Sequence, residues 1–174
     1  MLTLVKFQSL QALLDLSKDS IDEYPSLKLL VSSVYAAIES YLGRTLELGE
    51  YTETVFVEGR MIPLKALPVS AFSSVLTEDN EEVSENSKIR NDHIVMENRY
   101  VGNVAVTYTG GYEEAPEQIA RAALLQIAHE WQRRDNIGAT LVTTDGGSTN
   151  WPELSLLKEA RRMLDPFVHS ARMI

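Results

Sequence analysis

The sequence contains no cysteine, which excludes disulfide bonds, thiolate metal sites and cysteine nucleophiles. It has no run approaching the ~20 apolar residues that a membrane-spanning helix requires. Its N-terminus also lacks the basic region and apolar core of a secretory signal. These absences predict a soluble protein that is not exported.

Positive charge is scarce in this chain. There are 16 Lys and Arg against 25 Asp and Glu, which gives a formal net charge of −9. All of the negative excess lies in residues 1–115, with 9 basic and 18 acidic residues, whereas residues 116–174 hold 7 of each. Tight binding to a phosphate backbone needs clustered Lys and Arg, so the charge balance argues against it.

Residue types that carry catalysis or bind metals are few and scattered. The only histidines are His93, His129 and His169, and they stand in unrelated contexts. His129 and Glu130 resemble the start of a zinc-protease helix motif, but Arg133 occupies the position of the second histidine. The two glycine pairs lack the spacing and the lysine of a phosphate-binding loop. The sequence therefore predicts no enzyme, no metal site and no cofactor.

Four segments have the apolar periodicity of helices. The strongest is Pro25–Leu42, which is followed by Gly43 at the position of a C-cap glycine. The other three are predicted over residues 7–16, 116–134 and about 151–164. Residues 136–150 are rich in Gly and Thr without helical periodicity, and they predict a mobile loop.

The middle of the chain has a different pattern, with short runs of Val, Thr and aromatic residues that are typical of strands. Strands are predicted over 51–58, 71–77, 94–96 and 104–108, with turns at Gly59-Arg60, at Asn98 and at Gly102-Asn103, and an acidic loop over 78–85. The fold class is therefore α+β, a helical bundle with an inserted small β-rich subdomain. We predict one domain with N-terminal helices in 1–49, the β-rich insertion in 50–109, a long helix in 116–135, the mobile loop in 136–150, and a C-terminal helix and tail in 151–174.

The long helix is apolar or small on most of its sides. Its polar stripe is narrow and consists of Gln118, Arg121, His129, Gln132 and Arg133. A helix of this kind must be buried by more than one neighbour. Leu124, Ile127 and Trp131 are the candidates for this contact. Two alternatives stay open, namely a core within one chain and an interface between subunits.

A basic cluster lies close to the C-terminus. Its members on the last helix are Lys158, Arg161 and Arg162, and Asp165-Pro166 should end that helix. Basic residues at this place can merely complement the helix dipole. Alternatively, they can form a docking tip for a partner together with Phe167, Val168 and Arg172. The tail can also fold back onto its own helices.

Four short segments form an ordered set that spans most of the chain. Residues 36–44, AAIESYLGR, end a helix with an apolar–Glu–x–aromatic–x–Gly–Arg signature. The others are the apolar–Pro–Val step Leu67-Pro68-Val69, the strand–Gly–Tyr–Pro–helix junction of residues 106–112 with Pro116, and the Leu–x–Pro–aromatic ending of residues 163–167. This set resembles the head–tail connector family of long-tailed phages and prophages, also called adaptor or head-completion proteins. Val168 and His169 depart from the family pattern, in which arginine is more frequent.

The resemblance implies a structural virion protein of the phage neck, assembled in the host cytoplasm. Such proteins form a ring, typically dodecameric, beneath the portal. They bridge the portal to stopper or tail-completion proteins and leave a channel through which DNA passes without sequence-specific binding. For this chain it implies that the basic C-terminal tip contacts the portal, and it implies no cofactor and no membrane. Two alternatives remain, another neck or tail-completion protein and a small soluble enzyme with a dispersed active site.

Overall fold

The computed structural model describes residues 5–17, 20–90, 93–134, 141–144, 147–150 and 156–168, with the backbone alone in 141–144 and 147–150. The chain divides into two compact units. The first, which we call the β unit, contains Gly43–Ala115, and the second, the helical unit, contains Thr3–Leu42 and Pro116–Val168. In sequence, the β unit is therefore inserted into the helical unit, and the α+β class is confirmed.

Within its described residues, the helical unit contains four α-helices. Their bounds are Phe7–Leu14 (α1), Pro25–Leu42 (α2), Glu117–Arg133 (α3) and Lys158–Leu164 (α4). Helix α2 buries one stripe with helical spacing, made of Leu27, Val31, Val34, Ile38 and Leu42. It ends at Leu42, and the next residue, Gly43, has φ of +67°, the left-handed conformation that glycine adopts most readily.

Helix α3 is in contact with α1, α2 and α4 within the same unit. These three neighbours explain why α3 is apolar on several sides, because it packs against more than one helix. The buried residues of α3 are Ile119, Ala122, Ala123, Gln126, Ile127 and Arg133. Arg133 was predicted to lie on the polar stripe, and that prediction is wrong because its side chain is only 4% exposed.

Two predictions near the C-terminus need correction. Within the predicted loop 136–150, residues Leu141–Thr144 and Gly147–Asn150 form strands β5 and β6 of an antiparallel hairpin. The β-branched residues of LVTT favour extended backbone, and the loop interpretation overlooked them. Helix α4 begins at Lys158 because Leu157 has extended backbone with ψ of 142°, so the predicted helix does not run continuously to Leu164. Its predicted start near 151 lies outside the described residues.

The β unit is built around one long strand. Strand β4 (His93–Gly110) pairs antiparallel with β1 (Gly49–Met61) on one side and with β2 (Val69–Thr77) on the other, and β3 (Ser87–Arg90) pairs with its first residues. One face of the sheet packs on the core, which includes Val57, Val75, Val104, Val106 and Tyr108. The opposite face is rich in Thr and Ser, as in the 3.1 Å hydrogen bond between the hydroxyls of Thr52 and Thr107.

The predicted turns inside β1 and β4 are wrong. Gly59 pairs with Tyr100 and sits at a register shift, so it forms a bulge within β1 instead of a hairpin. Gly102 pairs with Val57, and Asn103 pairs with Phe56. Pairing with β1 therefore keeps β4 continuous across residues that would favour a turn in an unpaired chain.

Tyr108 is the polar centre of the β-unit core and is 1% exposed. Its hydroxyl donates to the Glu53 carboxylate and accepts a 3.0 Å hydrogen bond from the backbone N–H of Ala66. Burial raises the pKa of the Tyr108 hydroxyl, because the phenolate would be poorly solvated, and the hydrogen bond to Glu53 raises it further.

This raised pKa predicts a loss of stability at alkaline pH. A pKa that is higher in the folded than in the unfolded state contributes stability below the unfolded value of about 10, and this contribution disappears as pH rises through the folded value. Urea unfolding at a series of pH values from 8 to 11 should show the decline in the native protein. Tyr108→Phe should be less stable at pH 8, by about 1–3 kcal/mol, and should decline less steeply above pH 10. Equal slopes for the two proteins would contradict the assignment.

The acidic segment 78–85 is held mainly by two hydroxyl groups. The carboxylate residues, all exposed, are Glu78, Asp79, Glu81, Glu82 and Glu85. The backbone N–H of Val75 donates to Ser84 Oγ at 2.8 Å, and that of Glu81 donates to Thr77 Oγ1 at 3.1 Å. Ser84 Oγ also donates to the Glu82 carboxylate at 3.1 Å, so one of the five acids takes part in the turn that the two hydroxyls hold.

We expect each acid-to-serine substitution in this segment to change the free energy of unfolding by about 0.5 kcal/mol or less. Ser84→Ala is the matched control, because it removes the acceptor of the Val75 N–H and should cost about 1–3 kcal/mol. Urea denaturation followed by circular dichroism measures both. A larger loss from the acids than from Ser84→Ala would show that the charges stabilise the turn.

Candidate functional site

The basic C-terminal tip begins on α4. Ala160 and Leu164 are buried and anchor α4 in the helical unit. Lys158, Arg161 and Arg162 are all exposed on its other faces. Arg172, the remaining predicted member of the tip, lies outside the described residues. Helix α4 therefore presents three exposed positive charges, with the exposed Glu159 on the same helix.

The end of α4 continues into a 3₁₀ turn, Asp165–Phe167, that is tied to α2. The hydroxyl of Tyr41 donates to the Asp165 carboxylate at 2.5 Å. This hydrogen bond raises the pKa of Tyr41, because it favours the protonated hydroxyl. Phe167 is half-buried and Val168 is 40% exposed. The turn is therefore fixed within the helical unit, while Val168 remains open to solvent.

Gln126 joins α3 to the residue that precedes α4. Its side-chain oxygen accepts a 2.8 Å hydrogen bond from the backbone N–H of Leu157, and its amide nitrogen donates to Glu130 at 2.8 Å. Sequence reasoning missed this residue. The available signal was a glutamine surrounded by apolar residues, four positions before a glutamate on the same helix face.

An apolar groove lies between α2 and the C-terminal end of α3. Its volume is about 480 Å³, and its lining residues are Ser26, Leu29, Leu30, Ser33, Glu130, Trp131, Arg133 and Arg134. Leu29 is 74% exposed, and the guanidinium of Arg134 lies 4.3 Å from the centre of the Trp131 ring. We refer to this feature as the Trp131 groove. It combines an aromatic wall, an exposed aliphatic side chain and charged residues of both signs.

The three predicted contact residues of α3 have different environments. Ile127 is fully buried, so it belongs to the core of the helical unit. Leu124 is half-buried and does not line the groove. Trp131 is half-buried and does line it. Of the three, Trp131 is therefore the residue best placed to meet another molecule.

Three of the four motif segments meet inside the β unit. Arg44 Nη2 donates to the hydroxyl of Tyr112 at 3.2 Å, and its guanidinium lies 5.5 Å from the centre of the Tyr112 ring. The backbone N–H of Gly111 donates to the carbonyl of Pro68 at 3.0 Å, and Val69 pairs with Gly110. These motif residues therefore join the start of the β unit, the Leu67-Pro68-Val69 segment and the end of β4 to one another, which is a structural role.

Within the described residues, no group of three or more His, Cys, Asp or Glu side chains is arranged to hold a metal ion. None of the described helices is long and apolar enough to cross a membrane.

Three solved structures share this fold over most of the chain. A chain from the neck of an empty gene transfer agent (GTA) particle, computed with C6 symmetry, has a TM-score of 0.63 and 14% identity, covering 94% of this chain and 89% of that one. A chain from the neck of a native GTA particle, computed with C12 symmetry, has a TM-score of 0.55 and 14% identity, covering 84% of this chain and 86% of that one. A chain from the virion of a native GTA particle has a TM-score of 0.62 and 16% identity, covering 94% of this chain and 89% of that one. At these identities the likeness establishes the fold.

The family comparison covers almost the whole chain. No curated protein matches the sequence. The model of the head completion protein family, however, matches residues 6–168, a span that contains α1 to α4 and the entire β unit. The family consists of structural phage proteins and not of enzymes. The chain therefore belongs to the head completion protein family.

Proposed function

We propose that this protein forms a ring in the neck of a phage or phage-like particle, where it completes the head. The observation that carries the proposal is the shared fold with neck chains of particles computed with C6 and C12 symmetry, together with the family match. The ring would lie between the portal and a stopper or tail-completion protein. Its centre would leave a channel for DNA.

The net charge of −9 is consistent with such a channel, because an acidic lumen lets DNA slide without adhering. The four helices of the helical unit would act as a bundle that carries the contact surfaces. We assign the portal contact to the basic tip, with Lys158, Arg161, Arg162, Phe167, Val168 and Arg172. The exposed cations of α4 support this assignment, since rim charges steer and orient a partner.

A binding experiment with purified portal tests this function. Lys158→Glu combined with Arg162→Glu should weaken portal binding by about tenfold or more, because two attractive rim contacts become repulsive. Arg121→Glu combined with Lys88→Glu is the matched control, since it makes the same change in net charge at exposed residues of other elements. Sedimentation and negative-stain microscopy of the mixture report binding and ring formation together.

The outcomes separate the function from its assigned surface. If the native protein neither binds portal nor forms rings on it, the proposed function is wrong. If rings form and both double variants bind equally well, the neck function stands and the portal contact lies elsewhere.

A further inference from the structure

An exposed apolar patch lies on the outer face of the β unit. Phe56 is 59% exposed and Val101 is 63% exposed. Phe56 pairs with Asn103, and Glu58 pairs with Val101, so Phe56 and Val101 are diagonal neighbours on one face of β1 and β4. We refer to Phe56, Glu58 and Val101 as the Phe56 patch.

The Phe56 patch and the Trp131 groove are chemically complementary. Among the strongly exposed large hydrophobic side chains of the described residues, Phe56 is the aromatic one, and the groove offers the Trp131 ring and Leu29 as apolar walls. The patch carries the exposed carboxylate of Glu58, and the groove carries the guanidinium of Arg134. The two surfaces therefore offer one pair of opposite charges. Large aromatic anchors in a pocket are typical of interface hot spots.

The symmetry of a ring requires two different surfaces on each subunit. A surface that pairs with itself generates a twofold dimer, whereas a closed ring of six or twelve needs a head-to-tail contact. This chain presents two apolar surfaces at unrelated places in its sequence, one in each compact unit. Both would be exposed in a monomer, and a head-to-tail contact would cover both at once.

We propose that the Phe56 patch of one subunit inserts into the Trp131 groove of the next subunit. This inference rests on the proposed ring function and specifies its subunit contact. It assigns the anchor to Phe56, the groove walls to Leu29 and Trp131, and the rim pair to Glu58 and Arg134.

Disulfide trapping tests the contact, because the native chain has no cysteine. A protein carrying both Leu29→Cys and Val101→Cys should give a ladder of cross-linked oligomers under oxidising conditions. Each single variant alone should remain monomeric on a non-reducing gel. A 1:1 mixture of the two single variants should give a cross-linked dimer and nothing larger, since each subunit then has one reactive surface.

Position and charge provide the controls. Leu13→Cys combined with Val101→Cys should give no ladder, although Leu13 is 52% exposed on α1. In the reactive pair, adding Glu58→Arg or Arg134→Glu alone should reduce the cross-linking yield several-fold. Adding both should restore it, because the charge pair is then reversed but intact.

The results distinguish this contact from the neck function. Absence of the ladder from the Leu29→Cys and Val101→Cys protein, while native rings form on portal, would overturn the contact and leave the function standing. Cross-linked dimers from Val101→Cys alone would also overturn it, because they would show the patch pairing with itself. A ladder in protein that fails to bind portal would support the contact and contradict the portal assignment.

Discussion

Replacing Gly111 with alanine should unfold the β unit. Gly111 has φ of +99°, a conformation that side-chain-bearing residues rarely adopt. A Cβ built on it would lie 2.2 Å from the carbonyl oxygen of Glu47 and 2.8 Å from the backbone nitrogen of Leu48. Both neighbours are backbone atoms, so they cannot move aside as a flexible side chain would. Glu47 is also bridged to Tyr112, and the clash would therefore break the pairing at this junction.

We expect Gly111→Ala to cost more than about 4 kcal/mol, which is a large part of the ~5–15 kcal/mol that stabilises an ordinary domain. Gly43→Ala is the matched control. Its φ of +67° also disfavours alanine, but nothing lies within 4 Å of the added Cβ. The control should therefore lose only about 1–2 kcal/mol. Urea unfolding followed by circular dichroism compares them, and similar losses would show that backbone conformation, and not the clash with Glu47, determines the effect.

Sequence patterns predicted a structural element correctly where the residues that determine the element belong to it. Helix α2 begins at Pro25 and ends before Gly43 as its terminal residues and apolar stripe predicted. The glycine pair at the end of β4 was likewise recognised from the sequence. Gly110 is the last residue of the strand and Gly111 has the positive φ of the turn, and a Cβ on either would lie 2.2 Å from a backbone oxygen. The resemblance to head-completion proteins came from such segments, and the family match supports it.

Local signals failed where a partner distant in sequence decides the structure. Gly102 and Asn103 favour a turn by themselves, but pairing with Val57 and Phe56 keeps them extended. Arg133 was placed on the polar stripe of α3 and Gln126 was overlooked, yet α3 has neighbours on several sides and both residues are buried. A single sequence gives no information about these tertiary neighbours.

The candidate contact surfaces were likewise predicted only in part, because some of their residues are brought together by tertiary packing. Trp131 was identified as a contact residue from its place on an apolar helix. The sequence could not separate it from Ile127, which lies on the same helix and proves to be fully buried. It also gave no indication of Leu29, because the apolar character of α2 is explained by its own buried stripe. The groove appears only when α2 and α3 are brought together.

Trp131→Ala should abolish ring formation while leaving most of the fold stability intact. Trp131 is half-buried, so truncation should cost about 1–2 kcal/mol of unfolding free energy, below the ~3–5 kcal/mol typical of a fully buried aromatic residue. Ile127→Ala is the contrasting variant. Its side chain is fully buried in the helical unit, and its truncation should cost about 2–5 kcal/mol of stability.

Assembly should show the opposite order of effects. A hot-spot residue contributes about 2 kcal/mol or more to an interface, which corresponds to at least about 30-fold in affinity. In a ring every subunit loses this contact, so the lost binding free energy adds up over all the interfaces. Rings should therefore be absent at protein concentrations at which the native protein only just assembles. Ile127→Ala should still form rings at temperatures where it remains folded, because it leaves the groove surface in place. Native mass spectrometry with and without portal, together with urea unfolding, measures both quantities. If Trp131→Ala forms rings as readily as the native protein, the groove is not the subunit interface.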